Sequence, residues 1–277
     1  MIGKIKDQIV IYGFILNISF LGFLSCDQKP KSEKSETMSE EVMETNKELN
    51  EANVLSEKEK DSGWILLFDG ESFNGWRGYN RKDMPTAWTI EEGAIKINGS
   101  GGGEAGAKDG GDIIFDQKFK NFELQFEWKV SKGGNSGVFY LVQEVEGEPI
   151  WKSSPEYQVL DNVNHLDANL GKDGNRQSAS LYDLIPANPQ NSKPFGEWNT
   201  AKVIVYKGTV VHSQNGENVV EYHLWTPEWD DMIANSKFKG MENFLKIGGE
   251  ERNGLIGLQD HGDDVWFRNI KLKELGE

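Results

Sequence analysis

Residues 156–162 (EYQVLDN) carry the polar side chains best suited to chemistry in this chain. If this stretch is a β-strand, Glu156 and Gln158 lie on one face, and Tyr157 and Val159 lie on the other. A carboxylate and an amide side by side are typical of the ligand-facing side of a sheet, although an ordinary solvated face has the same pattern. Glu156 is therefore the first candidate for a general base or a metal ligand.

A second group of candidates lies in residues 257–262 (GLQDHG), where Gln259 and His261 share one face of a predicted strand. An imidazole at a strand end can shuttle protons or bind a metal, and Asp260 is placed to orient it. A lone strand histidine is more often structural, so the pattern alone leaves both roles open.

Two further polar or aromatic residues, Trp198 and Arg268, complete the set of candidates. Indole faces stack on the C–H faces of sugars, but most of the nine tryptophans must be core residues.

Other catalytic signatures fail. Residues 101–106 (GGGEAG) satisfy G-x-G-x-x-G, but a strand-like segment follows them, and a dinucleotide site needs a helix there. Asp161 has the opposite strand parity to Glu156. A glycosidase with two carboxylates across one bond would therefore need a bulge between them.

The composition of the 277 residues excludes several classes of protein. A formal charge of −15 argues against sequence-independent binding of nucleic acid, which requires Lys and Arg against phosphates. Cys26 is the one cysteine, so intramolecular disulfides and cysteine-based zinc clusters are excluded.

Residues 1–26 have the features of a lipoprotein signal peptide that ends at an acylated Cys26. A 16-residue apolar run at residues 9–24 is short for a membrane span, and residues 23–26 (FLSC) are similar to a bacterial lipobox. An uncleaved anchor or an ordinary secretory signal is the alternative. Residues 27–62 have a net charge of −5 and no aromatic side chain, which predicts a flexible tether.

Residues 63–277 are predicted to form one β-rich domain. Residues 122–130 (FELQFEWKV) alternate strictly, and the Asn215-Gly216 dipeptide predicts a type I′ hairpin. Residues 229–238 form the one credible helix. The pattern predicts an all-β, antiparallel two-sheet sandwich of jelly-roll type.

Seven motifs occur in an order that is similar to one known family: LFDG with NGW, GGNSGVF, EYQVLDN, GEWN, SQNGENV, SKF and GLIGLQDHGDDVWFRNIKL. Together they resemble the 3-keto-disaccharide hydrolase family, which includes 3-keto-glucoside 1,2-lyases and 2-hydroxy-3-keto-glucal hydratases. The resemblance implies a concanavalin A-like jelly roll and chemistry on sugars oxidised at carbon 3. It also agrees with a lipid-anchored protein of the bacterial cell envelope.

In such a sugar the ketone acidifies the hydrogen on carbon 2, so a base can remove it and the oxygen on carbon 1 departs. The resemblance implies a base, an acid and a group that stabilises the enolate, for which a divalent metal on Glu156 and His261 is one candidate. The predicted catalytic residues are Glu156, His261 and Asp260, and the predicted sugar contacts are Asn135, Gln158, Trp198, Gln259 and Arg268.

Two other functions remain open from the sequence. One is a carbohydrate-binding module without activity, because jelly rolls host lectins as readily as enzymes. The other is a conventional endoglycanase that uses Glu156 and Asp161. In each case the expected partners are a sugar and, through lipid on Cys26, a membrane, with no nucleic acid.

Overall fold

This computed structural model describes residues 52–276, apart from the side chain of Glu104. The strands in chain order are β1 (Trp64–Leu66), β2 (Trp76–Gly78), β3 (Trp88–Glu91), β4 (Ala94–Ile97), β5 (Ile113–Phe119), β6 (Phe122–Val130), β7 (Asn135–Val142), β8 (Glu156–Leu160), β9 (Asn199–Tyr206), β10 (Thr209–Gln214), β11 (Glu217–His223), β12 (Gly254–Leu258) and β13 (Val265–Glu274). The α-helices are α1 (Glu57–Asp61), α2 (Pro227–Ala234) and α3 (Glu242–Leu245), and 3-10 turns lie at Gly103–Ala105, Ile150–Lys152 and Leu166–Asn169.

The strands form two antiparallel sheets that enclose one large apolar core. The larger sheet has eight strands in the order β11-β10-β9-β6-β13-β4-β3, with β1 paired to β13. The smaller sheet has five strands in the order β2-β5-β12-β7-β8. This arrangement confirms the predicted antiparallel jelly-roll sandwich.

Burial along the strands follows from their position in the sandwich. In β6, every second residue from Phe122 to Val130 is buried, because only one face of the eight-stranded sheet meets the core. All eight residues of β7 and all five of β8 are buried. Both faces of β7 and β8 are therefore covered by other parts of the chain.

Local turn chemistry also matches the sequence. Asn215 and Gly216 have φ angles of 48° and 88°, as a type I′ turn between β10 and β11 requires. The predicted helix at residues 229–238 begins two residues earlier, at Pro227, and ends at Ala234. Thr226 caps it by accepting a hydrogen bond from the backbone of Trp229.

The compact unit begins before residue 63, the predicted start of the domain. Asn53 and Asn269 exchange two hydrogen bonds of 2.6 and 2.8 Å, each from a backbone N–H to the other side-chain oxygen. Leu55 is buried, and Ser56 begins α1 with a capping box. Long-range pairing thus orders the last residues of a segment whose composition predicts flexibility.

None of the helices within residues 52–276 has the length and apolarity needed to cross a membrane. The predicted signal peptide, its lipid attachment at Cys26 and most of the tether lie outside the described residues.

Candidate active site

The outer face of the five-stranded sheet carries Glu156. Antiparallel partners project to the same side of a sheet, and Glu156 pairs with Phe139 while Gln158 pairs with Gly137. Tyr157, with the opposite parity, is buried in the core between the sheets. The strand therefore directs Glu156 and Gln158 away from the core, as its alternation predicts.

A glycine makes room for the Glu156 carboxylate. A Cβ atom on Gly137 would lie 2.3 Å from Oε1 of Glu156, so the carboxylate rests on the bare backbone of the neighbouring strand. Gly257 on β12, which pairs with Phe139, also has no side chain of its own on this face, but Ile150 packs over it, since a Cβ on Gly257 would lie 2.8 Å from Cδ1 of Ile150. The face beneath the Glu156 carboxylate is thus main chain at Gly137, and we call the surroundings of Glu156 on this face the hollow.

Glu156 is 6% exposed, and burial raises its pKa to about 8. The nearby Lys237 ammonium opposes this rise in pKa, whereas the carboxylates of Asp112 and Asp167 add to it. A carboxyl that exchanges its proton near neutral pH is suited to acid–base chemistry, and a perturbed pKa of this kind is common at active sites.

One wall of the hollow contains residues that the sequence analysis missed. The Nζ atom of Lys237 lies 4.0 Å from the ring centroid of Tyr182, and partial desolvation lowers the pKa of this lysine. The Tyr182 hydroxyl donates a 2.9 Å hydrogen bond to Asp167, which Arg176 also contacts at 2.8 Å. Arg176 forms a second ion pair with Asp183.

Lys237 also lines a neighbouring cavity of about 590 Å³. Asn175, Asn235 and Ser236 supply polar groups to this cavity. The space and its polar lining suit a sugar-sized ligand.

A second group of polar side chains brings together His165, His261 and Asp263. One nitrogen of each histidine and one carboxylate oxygen all lie within 4.8 Å of one another, and the two rings meet edge to face at 5.9 Å. All three residues are half-buried. Two imidazoles and a carboxylate form a donor set that divalent transition metals favour.

His165 is oriented by the turn that follows it, because its Nδ1 accepts a 3.1 Å hydrogen bond from the backbone of Asp167. This contact places the ring proton on Nε2. A cation could bind Nε2 only after that proton moved to Nδ1 and the Asp167 contact was released. The donor set therefore fits a divalent metal, with a local adjustment at His165.

Hydrogen bonds and a cation–ring contact connect the two groups around the same hollow. Asp167 is bonded to both His165 and Tyr182, and Tyr182 lies beneath Lys237. On the other side, the backbone N–H of Gln259 donates a 2.9 Å bond to the carbonyl oxygen of Gly137, on which Glu156 rests. The structure thus brings Glu156 and the strand end with His261 onto one face.

Two predicted sugar contacts have the expected character. Oδ1 of Asn135 and Oε1 of Gln259 are buried oxygens that accept no hydrogen bond from any described residue. A buried acceptor without a donor is costly, and such atoms in a concave site indicate a ligand that supplies the donor. Sugar hydroxyls would do so.

Gln158 and Asp260 serve the fold rather than the predicted roles. Gln158 is fully buried, and its amide reaches the carbonyl oxygen of Arg176 at 3.4 Å, so the segment that covers β8 keeps it from a ligand. The Asp260 carboxylate accepts backbone hydrogen bonds from Ala107, Gly111 and Gly262. These bonds anchor the glycine-rich loop to the end of β12.

Trp198 and Arg268 do not join the hollow. Phe267 points into the core, so Arg268 projects from the outer face of the eight-stranded sheet, on the far side of the sandwich from Glu156. There the Arg268 guanidinium stacks on Trp198 at 4.1 Å and binds Glu127 at 2.7 Å. Strand parity identified an outward direction but not the sheet to which it belonged.

Asp161 does not supply a second carboxylate to the hollow. Its side chain accepts backbone hydrogen bonds from Gly133 and Val163 and an amide hydrogen bond from Asn164. Desolvation opposes their effect, but these bonds lower its pKa overall, so Asp161 stabilises a turn as a carboxylate. The predicted metal pair also changes, since His261 is grouped with His165 and Asp263 rather than with Glu156.

His165, Asp263, Lys237 and Tyr182 are the residues that sequence reasoning missed. Asp263 follows His261 by two positions, a spacing that puts both on one face and could have indicated it. The other three come from loops that only the tertiary fold brings to the hollow.

Comparisons with known proteins agree with this description. Residues 63–273 match the family model of the 3-keto-alpha-glucoside-1,2-lyase-like domain. A 3-keto-disaccharide hydrolase of Bacteroides thetaiotaomicron is 64% identical over 228 residues, which cover 77% of this chain and 79% of that protein.

Solved structures from Parabacteroides distasonis ATCC 8503 have the same fold. One, described provisionally as a glycosyl hydrolase, is 31% identical with a TM-score of 0.70, covering 82% of this chain and all of its own. Another is 24% identical with a TM-score of 0.57, covering 76% of this chain and 99% of its own, and shows the fold alone. The chain therefore belongs to the 3-keto-disaccharide hydrolase family, whose domain model is 3-keto-alpha-glucoside-1,2-lyase-like.

Proposed function

We propose that this chain is an enzyme that cleaves the glycosidic bond of 3-keto-glycosides, with Glu156 transferring the proton on sugar carbon 2. The observation that carries this proposal is a buried carboxyl with a pKa of about 8 that faces a polar hollow. A binding module has no need for such a group. Family membership and the named relative support the substrate class.

The chemistry begins with the carbon 3 ketone, which acidifies the hydrogen on carbon 2. The Glu156 carboxylate takes that proton, the C2–H electron pair forms a C1=C2 double bond, and the bond from carbon 1 to the glycosidic oxygen breaks. Water then adds at carbon 1 while a proton returns to carbon 2, so the net reaction is hydrolysis. A base with a pKa close to ambient pH suits both proton transfers.

Lys237 is the group we assign to the departing oxygen. Its ammonium interacts electrostatically with the Glu156 carboxylate. It also lines the cavity in which the leaving group would lie. A lowered pKa makes it a better proton donor to that oxygen. The buried oxygens of Asn135 and Gln259 would accept hydrogen bonds from the sugar hydroxyls.

His165, His261 and Asp263 would hold a divalent cation. When bound, such a cation supplies positive charge that stabilises the enolate oxygen. We expect metal analysis of the purified protein to find about one divalent ion per chain, and His261→Ala or Asp263→Asn to lose it. Glu156→Gln should retain the ion, and its loss there would contradict the assignment of ligands.

Substitution of Glu156 by Gln tests the base. We expect turnover of a 3-keto-glucoside to fall by ~10²-fold or more, because the amide cannot accept the proton. Glu127→Gln, on the opposite face, is the matched control and should keep wild-type turnover. Wild-type rates in the Glu156 variant would remove it from the mechanism.

Reaction in D₂O tests the order of bond changes. Elimination followed by hydration places deuterium from solvent at carbon 2 of the product, whereas direct displacement at carbon 1 leaves the original hydrogen there. A product without deuterium at carbon 2 would overturn the elimination step.

Asp112 supports a second candidate function, conventional glycoside hydrolysis by two carboxylates. It follows the parity of Ile114, which pairs with Gly257 on the outer face of the sheet. Desolvation raises its pKa to about 7, and it interacts electrostatically with Glu156. This mechanism predicts turnover of unoxidised glycosides and a loss of activity in Asp112→Asn. Absence of turnover on unoxidised substrates would exclude it.

We also propose that the chain is anchored in the bacterial cell envelope through lipid on Cys26. The apolar run at residues 9–24 and the small residue before Cys26 support this proposal. Cys26→Ser should move the protein from the detergent phase to the aqueous phase in a partitioning assay. Full retention in the detergent phase would contradict lipidation.

A further inference from the structure

A basic cavity lies at the opposite end of the strands from the hollow. It has a volume of about 310 Å³ and is lined by Lys120, Asn121, Lys207, Trp225 and Arg252, none of them acidic. Arg252 precedes β12, and His261 follows it. The five strand residues of β12 (Gly254–Leu258) therefore lie between the two residues. The cavity is therefore distinct from the candidate active site.

The charge pairing of Arg252 sets it apart. The sequence contains five arginines, and the other four each contact a carboxylate within 4 Å: Arg77, Arg81, Arg176 and Arg268. Among the described residues no carboxylate forms such a pair with Arg252. In a chain with a net charge of −15, an arginine without a carboxylate within 4 Å is conspicuous, and the acidic residues Asp230 and Glu250 line a second cavity on its other side, which Arg252 and Trp225 also border.

Arg252 is nevertheless held in place. The carbon of its guanidinium lies 4.6 Å from the ring centroid of Trp225, whose indole N–H donates a 2.8 Å hydrogen bond to the carbonyl oxygen of Ile247. A guanidinium stacked in this way keeps its N–H edges free to donate to the oxygens of a carboxylate or a sulfate group. The position for a Cβ on Gly208 is 3.1 Å from the indole, so the ring is supported from that side as well.

The backbone around the cavity is unusual too. Six residues other than Gly, Asn and Asp have a positive φ in the described chain, and three of them line this cavity: Lys207 (50°), Trp225 (60°) and Arg252 (53°). Left-handed conformations of such residues are costly and tend to cluster at ligand sites. The fold thus holds two cations and an indole in place around one small space.

We propose that this cavity binds an acidic saccharide, with its carboxylate or sulfate group held by Arg252 and Lys207. The volume suits one sugar ring rather than a large ligand. The domain from residue 63 onward carries a net charge of −11, which repels long polyanions and favours a short ligand with one or two charges. This proposal does not depend on the reaction assigned to the hollow.

Titration calorimetry with the full chain at low ionic strength tests the site. The probes are digalacturonate, galactose 6-sulfate, neutral galactobiose and sodium sulfate. We expect at least one acidic sugar to bind ten times or more tightly than galactobiose and than sulfate ion. Equal binding of galactobiose, equal binding of sulfate ion, or no binding of either acidic sugar would each overturn the proposal.

Variants locate the binding. Arg252→Gln and Lys207→Gln should each weaken binding of the acidic sugar by tenfold or more, and Arg252→Lys should have an intermediate effect. Arg81→Gln, an exposed arginine elsewhere, is the matched control and should bind as the wild type does. Turnover of the 3-keto-glycoside should be unchanged in Arg252→Gln. Wild-type affinity in both glutamine variants would place the ligand elsewhere.

Discussion

The two outer faces of the sandwich carry similar residue types, but these side chains pair with one another on one face, whereas the other face buries a carboxyl and an amide oxygen. On the eight-stranded sheet, Lys129 lies 4.7 Å from the Trp266 ring and 4.9 Å from the Trp198 ring, and the Trp266 indole binds Glu91. Arg268 is likewise paired with Glu127. On the five-stranded sheet, Glu156 is buried beside glycines, and Asn135 has an oxygen without a donor.

This difference shows that residue type alone does not identify a site. Exposed charges and indoles that satisfy one another form a stable, inert surface, and each pair contributes little. A site is recognised by polar groups that the protein itself does not satisfy, such as a carboxyl buried from solvent or a side-chain carbonyl oxygen that accepts no hydrogen bond. Substitutions on the two faces should therefore have very different consequences.

Gly137→Ala should have the largest effect on activity. The new methyl carbon would lie 2.3 Å from Oε1 of Glu156, so the carboxylate must move from its position on the sheet. We expect a fall in kcat/KM of ~10²-fold or more with the fold retained, because small misplacements of a catalytic group are costly. Steady-state kinetics and circular dichroism check this, with Gly276→Ala as the control in open space. An unchanged kcat/KM would mean that Glu156 need not rest there.

Glu156→Gln should change how stability depends on pH. The folded pKa is about 8 and the usual value is near 4.5, so the folded state holds a proton that the unfolded chain releases between these pH values. The stability from this group is present below pH ~4.5 and lost as pH rises through ~8. The variant should thus gain stability over the wild type, on the order of 3 kcal/mol at pH 9 and little at pH 5.

Urea unfolding at the two pH values measures this difference. Glu127→Gln on the opposite face should change stability by only ~0–1 kcal/mol at either pH, because its partner is a partly exposed Arg268. An equal gain for Glu156→Gln at pH 5 and pH 9 would contradict a raised pKa.

Gln259→Met should affect binding more than stability. Its side-chain oxygen is buried and accepts no hydrogen bond from a described residue, so the thioether removes an unmet acceptor. We expect KM for the 3-keto-glycoside to rise about tenfold while the free energy of unfolding stays equal or increases slightly. Kinetics with parallel thermal unfolding would detect the split. A loss of stability with unchanged KM would show that the oxygen serves the fold.

Trp198→Ala should have the smallest effect on activity, in spite of the sequence-based prediction that it contacts the sugar. It removes a stacking partner of Arg268 on the far face, so a loss of ~0.5–1 kcal/mol in stability is expected. Turnover should stay within about twofold of the wild type. A large fall in kcat/KM would mean that a ligand reaches both faces.

Strand parity explains what could be predicted from the sequence. The alternation in β6 and the Asn215-Gly216 turn follow from local chemistry, and the same period placed Glu156 opposite to Tyr157. The ordered motifs identified the family. Parity says whether a side chain points outward, but not from which sheet, so it does not separate Arg268 from Glu156.

The remainder of the site depends on contacts between distant segments. His165 and Lys237 lie in irregular segments that have no periodicity to interpret, and contacts with Asp167 and Tyr182 hold them beside the hollow. Asn53 shows the same limit at the domain boundary, since its partner Asn269 is 216 positions away. Composition predicts a polar tether but cannot detect that pairing.

The reciprocal bonds between Asn53 and Asn269 also determine where a mechanical force enters the domain. Tension on the chain before residue 53 would load the hydrogen bonds that join Asn53 to Asn269 and to Gly93, and through Asn269 it would reach β13 in the eight-stranded sheet. The five-stranded sheet lies on the other side of the core from that attachment. Tension on the chain before residue 53 would thus leave the main chain beneath Glu156 undistorted until the hydrogen bonds of Asn53 broke.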